Sequence, residues 1–252
     1  MSGSTNINKN HNIDKKTNER DSIVYIKTMG NDEINNVFLP LTVANNDDIF
    51  EFLKGVIHHI HKILKKDKFE NEYIENRFGK LSTRELISEG KTFYMNPCLD
   101  FVLVTVEGLK RSGLKNILFI IEELACPGGS HKLHFGIEIK KEDKNYYVDY
   151  RGQNNVFLGE GKFASKYEHK GEKSMHKIKI DAQNISIDDN IHTLMNRGIV
   201  QFKNFNPASF ETMKEKLKRH NTPKQRTDGF VNQVNHIHQP EIFIEEKNKN
   251  IY

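Results

Sequence analysis

The amino-acid sequence predicts an α+β protein in which N-terminal helices precede an antiparallel β-sheet. Two observations favour this class. Apolar residues recur at helical spacing before Gly113, and after it apolar or alternating segments are separated by short turn-like stretches. In α+β proteins helices and strands typically form separate runs and do not alternate regularly, and this sequence has that order.

The first predicted element is a strand over residues 22–28, where apolar side chains alternate in a half-buried pattern. Asp48 is a favoured N-cap residue, and it precedes a helix predicted over 49–66 from apolar positions at helical spacing. We interpret three histidines on this helix as its solvated edge: His58, His59 and His61.

Two further helices have recognisable ends. A Ser-x-x-Glu capping box predicts a short helix over residues 82–90. The next helix has Asn96 as its N-cap and Pro97 at its first position, and Gly113 follows its last turn. Apolar residues cover nearly the whole circumference of this second helix, so we expect it to be buried.

The part of the chain after Gly113 is predicted to form strands and one last helix. The predicted strands cover 116–123, 133–140, 145–150 and, with shorter patterns, 156–158 and 177–180. An amphipathic helix is predicted over 209–220.

Composition along the chain divides it into three parts. Residues 1–21 are almost entirely polar and are expected to form a disordered tail. Residues 22–220 are expected to form one domain. Residues 221–252 are expected to be a loosely ordered polar tail, although this part contains one short apolar segment at 242–244.

Several classes of protein are excluded by composition. Apolar runs such as 117–121 are far shorter than the roughly 20 residues of a membrane span, and the start of the chain has no apolar secretory signal. Two cysteines argue against a disulfide scaffold. The 38 basic and 34 acidic side chains leave a net charge of +4, too small to indicate nucleic-acid binding. We therefore expect a cytoplasmic protein with no membrane or nucleic-acid partner.

Cys98 is the first candidate for chemistry. The cap at Asn96 and the proline at Pro97 put this cysteine in the first helical turn, where free backbone N–H groups and the helix dipole favour an anion. A cysteine in that position can be a nucleophilic thiolate. The alternative is an inert buried cysteine that acts as a small apolar residue.

A histidine and an aspartate on the next two strands could complete a catalytic site. A hairpin that turns near Asp143 would put His134 opposite Tyr150, and Asp149 would lie beside it within one residue of register. A carboxylate there could orient the imidazole while the other ring nitrogen serves the thiol. The order of cysteine at a helix start, then histidine, then aspartate on successive strands predicts a Cys98–His134–Asp149 triad.

Residues 91–161 resemble the core of the transglutaminase-like superfamily of papain-related cysteine enzymes, with a more distant similarity to arylamine N-acetyltransferases. The matching segments are 96–98 at a helix start, 108–114 at its end, 134–139 on a strand, and 146–149 on the next strand. The resemblance implies Cys98 as nucleophile, His134 as base and Asp149 as the orienting residue. It also implies thiol-dependent acyl chemistry through a thioester, either hydrolysis or transfer to an amine, on a protein, peptide or small amide or ester. We expect no cofactor.

Three points stay open at this stage. Tyr94 and Asn96 are candidates for the second donor of an oxyanion hole, although Asn96 is more simply a helix cap. A catalytically inactive member of the superfamily could act as a protein-interaction module. Cys126-x4-His131-x2-His134, with Cys98 as a fourth ligand, could instead bind zinc.

Overall fold

A six-stranded sheet and the buried helix beside it form the centre of the fold in the computed structural model, which describes residues 27–41, 48–67, 71–93, 98–151, 155–163, 172–196, 208–221 and 240–245. The helices are α1 Asn31–Phe38, α2 Ile49–Ile63, α3 Asn71–Arg77, α4 Thr83–Glu89, α5 Cys98–Arg111, α6 Ile191–Asn196 and α7 Ala208–Asn221. The strands are β1 Lys65–Asp67, β2 Lys91–Phe93, β3 Ile117–Ala125, β4 His131–Lys141, β5 Lys144–Arg151, β6 Asn155–Glu160, β7 Lys173–Asp181 and β8 Glu241–Glu245. No helix in these ranges is long and apolar enough to cross a membrane.

The large sheet has the strand order β7-β3-β4-β5-β6-β8, and β1 and β2 form a separate parallel pair. Strands β3 to β6 are an antiparallel meander in chain order, β7 adds antiparallel to β3, and β8 adds parallel to β6. The sheet is therefore mostly antiparallel and follows a set of N-terminal helices. This confirms the α+β class.

Helix α5 is enclosed on all sides. One side packs on β3, β4 and β5, and the other side is covered by α1, α2 and α4. Every residue from Cys98 to Leu109 is buried as a result, which confirms the prediction from its apolar circumference. Its contact with the sheet includes a hydrogen bond of 2.7 Å between the hydroxyls of Thr105 and Tyr150.

The local signals at helix ends give the expected structures. The Asp48 side chain accepts a hydrogen bond of 2.9 Å from the backbone N–H of Phe50. Ser82 and Glu85 form the complete capping box, and Gly90 ends α4 in the left-handed conformation with φ of 67°. Capping residues are therefore sufficient to locate these three helix ends.

Other elements differ from the sequence-based expectation. The predicted strand over 22–28 lies almost entirely outside the described residues. The helix predicted over 49–66 ends at Ile63, because residues 65–67 leave the helix to pair with β2. Three helices were not predicted: α1, α3 and α6.

The C-terminal boundary of the domain needs a correction. We expected all of residues 221–252 to be a polar tail, but Glu241–Glu245 forms strand β8 at the edge of the sheet. Its Phe243 stacks on Phe157 of β6, with 5.0 Å between ring centroids. The short apolar segment at 242–244 therefore marks a strand that belongs to the domain.

Candidate active site

Cys98 is the first residue of α5 in the described chain and is only 2% exposed. Tyr94, Asn96 and Pro97 lie outside the described residues, so the predicted cap and the two oxyanion candidates stay predictions. The position of Cys98 at the start of a buried helix agrees with the expected location of the nucleophile.

A buried ionic network fixes the start of this helix. Asp100, in the first turn, accepts hydrogen bonds of 2.9 Å from Arg77 Nη1 and 2.8 Å from Thr92 Oγ1. The same guanidinium bonds Glu89 through its Nε at 2.8 Å. Arg77 therefore joins α3, α4 and β2 to the turn of α5 that carries Cys98, a role that its sequence position gives no means of predicting.

The β4–β5 register brings His134 and Asp149 together in a different way from the one expected. Asp149 is opposite Gly136, so the expected pairing of His134 with Tyr150 is off by one residue. Because side chains alternate between faces, this register puts Asp149 on the same face of the sheet as His134, and Tyr150 on the other face against α5. His134 Nε2 lies 2.6 Å from Asp149 Oδ1.

Both partners are almost completely buried, which makes their charges strongly interdependent. Burial by itself would lower the pKa of His134. The charge and hydrogen bond of Asp149, together with the hydrogen bond and charge of Cys98, outweigh burial and raise that pKa to about 10. Burial would raise the pKa of Asp149, but His134 and then Arg151 hold it below its usual value.

Two residues of the expected triad, His134 and Asp149, are therefore in direct contact, and Cys98 is near enough to contribute to the raised pKa of His134. Asp149 occupies Nε2 of the His134 ring, so Nδ1 is the nitrogen that the proposed triad would use toward the thiol. An imidazole held by a carboxylate on one nitrogen and by a thiol on the other is the arrangement that thiol-dependent acyl chemistry requires.

Phe163 forms one wall beside the imidazole. Its ring stacks near His134, with 5.8 Å between centroids, and lies directly over Gly136. A Cβ atom at position 136 would be 2.2 Å from Phe163 Cε2. Gly136, two residues after His134, therefore leaves the space that the Phe163 ring occupies beside the imidazole.

Asp149 has a second partner that sequence analysis did not identify. Arg151 donates from Nε to Asp149 Oδ2 at 2.6 Å. The available signal was simple, because residues two apart on a strand share a face. Arg151 also contacts Phe157 and Glu245, and those contacts connect the site to β8.

The four residues of the zinc alternative do not form a metal site. Cys126 is directed toward Glu172, with 3.8 Å between Sγ and Oε1, and His131 Nδ1 lies 3.0 Å from Glu123 Oε1. Within the described ranges, which include all four proposed ligands, no group of three or more His, Cys, Asp or Glu side chains could hold a metal ion. His134 is instead engaged by Asp149.

Comparison of the chain with models of known protein families, with curated proteins and with solved structures finds no match. The resemblance to the transglutaminase-like superfamily therefore stays a prediction. The function proposed next depends on the geometry and electrostatics of Cys98, His134 and Asp149.

Proposed function

We propose that this protein is a cysteine-dependent acyl hydrolase or acyltransferase of the papain-related, transglutaminase-like type. The observation that carries the proposal is the buried pair of His134 and Asp149, with 2.6 Å between Nε2 and Oδ1, and with Cys98 near enough to contribute to the pKa of His134. Its substrate would be an amide or ester of a protein, a peptide or a small molecule.

The electrostatics of the triad indicate how the reaction would begin. With its pKa raised to about 10 against the effect of burial, chiefly by Asp149 and Cys98, His134 holds a proton at neutral pH. The nucleophile in the proposed reaction is the thiolate of Cys98. The sulfur attacks the substrate carbonyl carbon, and the imidazolium gives its proton to the departing amine or alcohol. A thioester with Cys98 and a neutral His134 remain.

The second half of the reaction restores the resting state. Water or an amine attacks the thioester, and neutral His134 takes a proton from that nucleophile. The bond to sulfur breaks, and Cys98 leaves as a thiolate. Asp149 keeps the ring oriented and stabilises its charge in both steps. The backbone N–H of Cys98, in the first turn of α5, is a natural oxyanion donor, and Tyr94 or Asn96 would supply the second.

A non-catalytic interaction module is the second candidate, and one observation favours it. Cys98 is 2% exposed, as expected of a cysteine that serves only in packing. In that case the chain would retain the fold and the ion pair without turnover.

Labelling with iodoacetamide near pH 6 separates the two candidates. Cys126 is the more exposed cysteine, so exposure alone would make it react first. A thiolate at Cys98 reverses that order, because the thiolate is the reactive form and an ordinary thiol is almost fully protonated at this pH. We expect peptide mass spectrometry to find Cys98 alkylated much faster than Cys126.

Acyl transfer itself can be followed with p-nitrophenyl acetate as an activated ester. We expect an acetyl adduct on Cys98 in the intact mass spectrum, release of p-nitrophenol, and loss of both in Cys98→Ala. Cys126→Ser is the matched control and should stay within a few-fold of the wild type. Preferential labelling of Cys126, with no acetyl adduct on Cys98, would reject the catalytic proposal in favour of the interaction module.

A further inference from the structure

Asp149 uses both carboxylate oxygens, one for His134 and one for Arg151. We propose that Arg151 is a positioning residue for the triad and that strand β8 holds it in place through Glu245. This inference rests on the proposed function of Cys98 and His134, and it makes the C-terminal strand part of the active site.

The contacts of Arg151 leave its guanidinium little freedom. Nε donates to Asp149 Oδ2 at 2.6 Å, and the guanidinium carbon lies 3.8 Å from the centre of the Phe157 ring. Nη1 lies 3.5 Å from Glu245 Oε1, and the side chain is 16% exposed. A carboxylate bonded on both oxygens cannot rotate without breaking one bond, so Arg151 fixes the plane in which Asp149 meets the imidazole.

Glu245 is itself held from a second direction. Tyr147 on β5 donates its hydroxyl to Glu245 Oε2. To reach β8 the Tyr147 ring must cross β6, and it does so over Gly159, where a Cβ would lie 2.2 Å from the phenolic oxygen. The glycine of β6 therefore permits a continuous chain of contacts from Tyr147 through Glu245 and Arg151 to Asp149.

The sign of the effect on His134 distinguishes positioning from simple charge. Among the described residues, the titratable groups near this ring include Asp149 on β5, Cys98 on α5, and Glu122, which is opposite His134 on β3 and is paired with Lys177. If Arg151 acted only as a nearby positive charge, its removal would make the imidazolium easier to form. If it positions Asp149, its removal weakens the Asp149–His134 bond, and the imidazolium becomes harder to form.

The experiment measures the pH titration of the His134 ring by NMR in the full chain labelled with 15N-histidine, with the signal assigned by His134→Gln. The variants are Arg151→Gln, Arg151→Lys and Glu245→Ala. Two control variants remove the same charges elsewhere on the same strands. Lys144→Gln lies at the other end of β5, and Glu241→Ala lies at the other end of β8. The alkylation rate of Cys98 near pH 6 is measured on every variant.

We expect Arg151→Gln to lower the His134 midpoint by about one pH unit or more and to slow Cys98 alkylation about tenfold. Arg151→Lys should recover most of both, and Glu245→Ala should shift both in the same direction by a smaller amount. The two controls should match the wild type. If Arg151→Gln does not fold, Glu245→Ala at the sheet edge decides the question with the same readouts.

An unchanged or raised His134 midpoint in Arg151→Gln, or in Glu245→Ala where that variant decides, would overturn the inference. Failure of the proposed function has a different signature, in which Cys98 of the wild type shows no advantage over Cys126 in alkylation. The NMR titration needs no substrate and no reactive thiol, so it tests the positioning role in either case.

Discussion

Adding one methyl group at position 136 should both destabilise the protein and disturb the proposed active site. Phe163, which lies over Gly136, is only 1% exposed. In Gly136→Ala the new Cβ would lie 2.2, 2.6 and 2.8 Å from three atoms of that ring. Carbon atoms in contact are normally about 3.5–4.0 Å apart, so the ring would have to move by more than about 1 Å.

The ring has little room for that movement. His134 lies against it on one side at 5.8 Å between centroids, and Tyr147 meets it edge-on at 6.4 Å. Over-packing a core in this way typically costs about 1–3 kcal/mol. For a chain of this size, that corresponds to a melting temperature lower by about 2–12 °C. The displaced ring should also slow Cys98 alkylation, since it contacts the imidazole.

Urea unfolding provides the measurement, and Gly55→Ala is the matched control. Gly55 is exposed in the middle of α2, and a Cβ added there would have nothing within 4 Å, so alanine should stabilise that helix by about 0.5–1 kcal/mol. Adding Phe163→Leu to Gly136→Ala should cost less than the two single changes together, because leucine relieves the clash. Strict additivity, or a Gly136→Ala protein as stable as the wild type, would refute the steric argument.

Three further predictions concern buried charges. Asp149→Asn should lower the free energy of unfolding by about 3–5 kcal/mol at pH 7. Because the folded-state pKa of Asp149 is depressed, the stability difference between wild type and variant should shrink as acid protonates the carboxylate below pH 3.8. Thermal melts at pH 7 and pH 3 provide the check. His61→Phe should make the protein less sensitive to acid. Burial, then Lys66 and His58, lower the pKa of His61 to about 3, so below pH 6.5 the unfolded state binds a proton that the folded state does not. In urea titrations the free energy of unfolding of the wild type should therefore fall by about 2 kcal/mol relative to the variant by pH 5. Arg77→Met should lower the free energy of unfolding by about 3–5 kcal/mol in the same assay, because buried Asp100 and half-buried Glu89 lose their common cation.

The helix ends that carry a capping residue are predictable because their signals are local. Caps such as Asp48 and Ser82 act on N–H groups two or three residues away, and Gly90 supplies a left-handed backbone that few other residues adopt. Burial is harder to predict. The sequence indicates a solvated edge for His61, but its ring stacks on Phe101 at 4.2 Å between centroids. Helical spacing identifies a face, but it does not show how far a neighbouring helix covers that face.

The order of the three residues of the proposed triad can be taken from the sequence, but their geometry cannot. Cysteine at a helix start, followed by histidine and aspartate on successive strands, requires only the order of elements. Whether Asp149 faces His134 depends on a register that a single residue of slippage reverses, since alternate side chains of a strand point to opposite faces. The tight turn at Glu142, with φ of 57°, sets that register and pairs Lys141 with Lys144.

Strand β8 was missed because its pairing has almost no local signal. It joins β6 in parallel, and a parallel partner must be connected by a long crossover, here from Glu160 to Glu241. Nothing within a window of ten or twenty residues therefore specifies the neighbour of Ile242 or Phe243. The charge of Glu245 gives no indication of a partner either, because charged residues are common in a polar segment. Only the folded sheet places Glu245 beside Arg151. Contacts between segments that are far apart in the sequence depend on the folded sheet as a whole. For that reason the residues that support the proposed site are harder to predict than the residues proposed to form it.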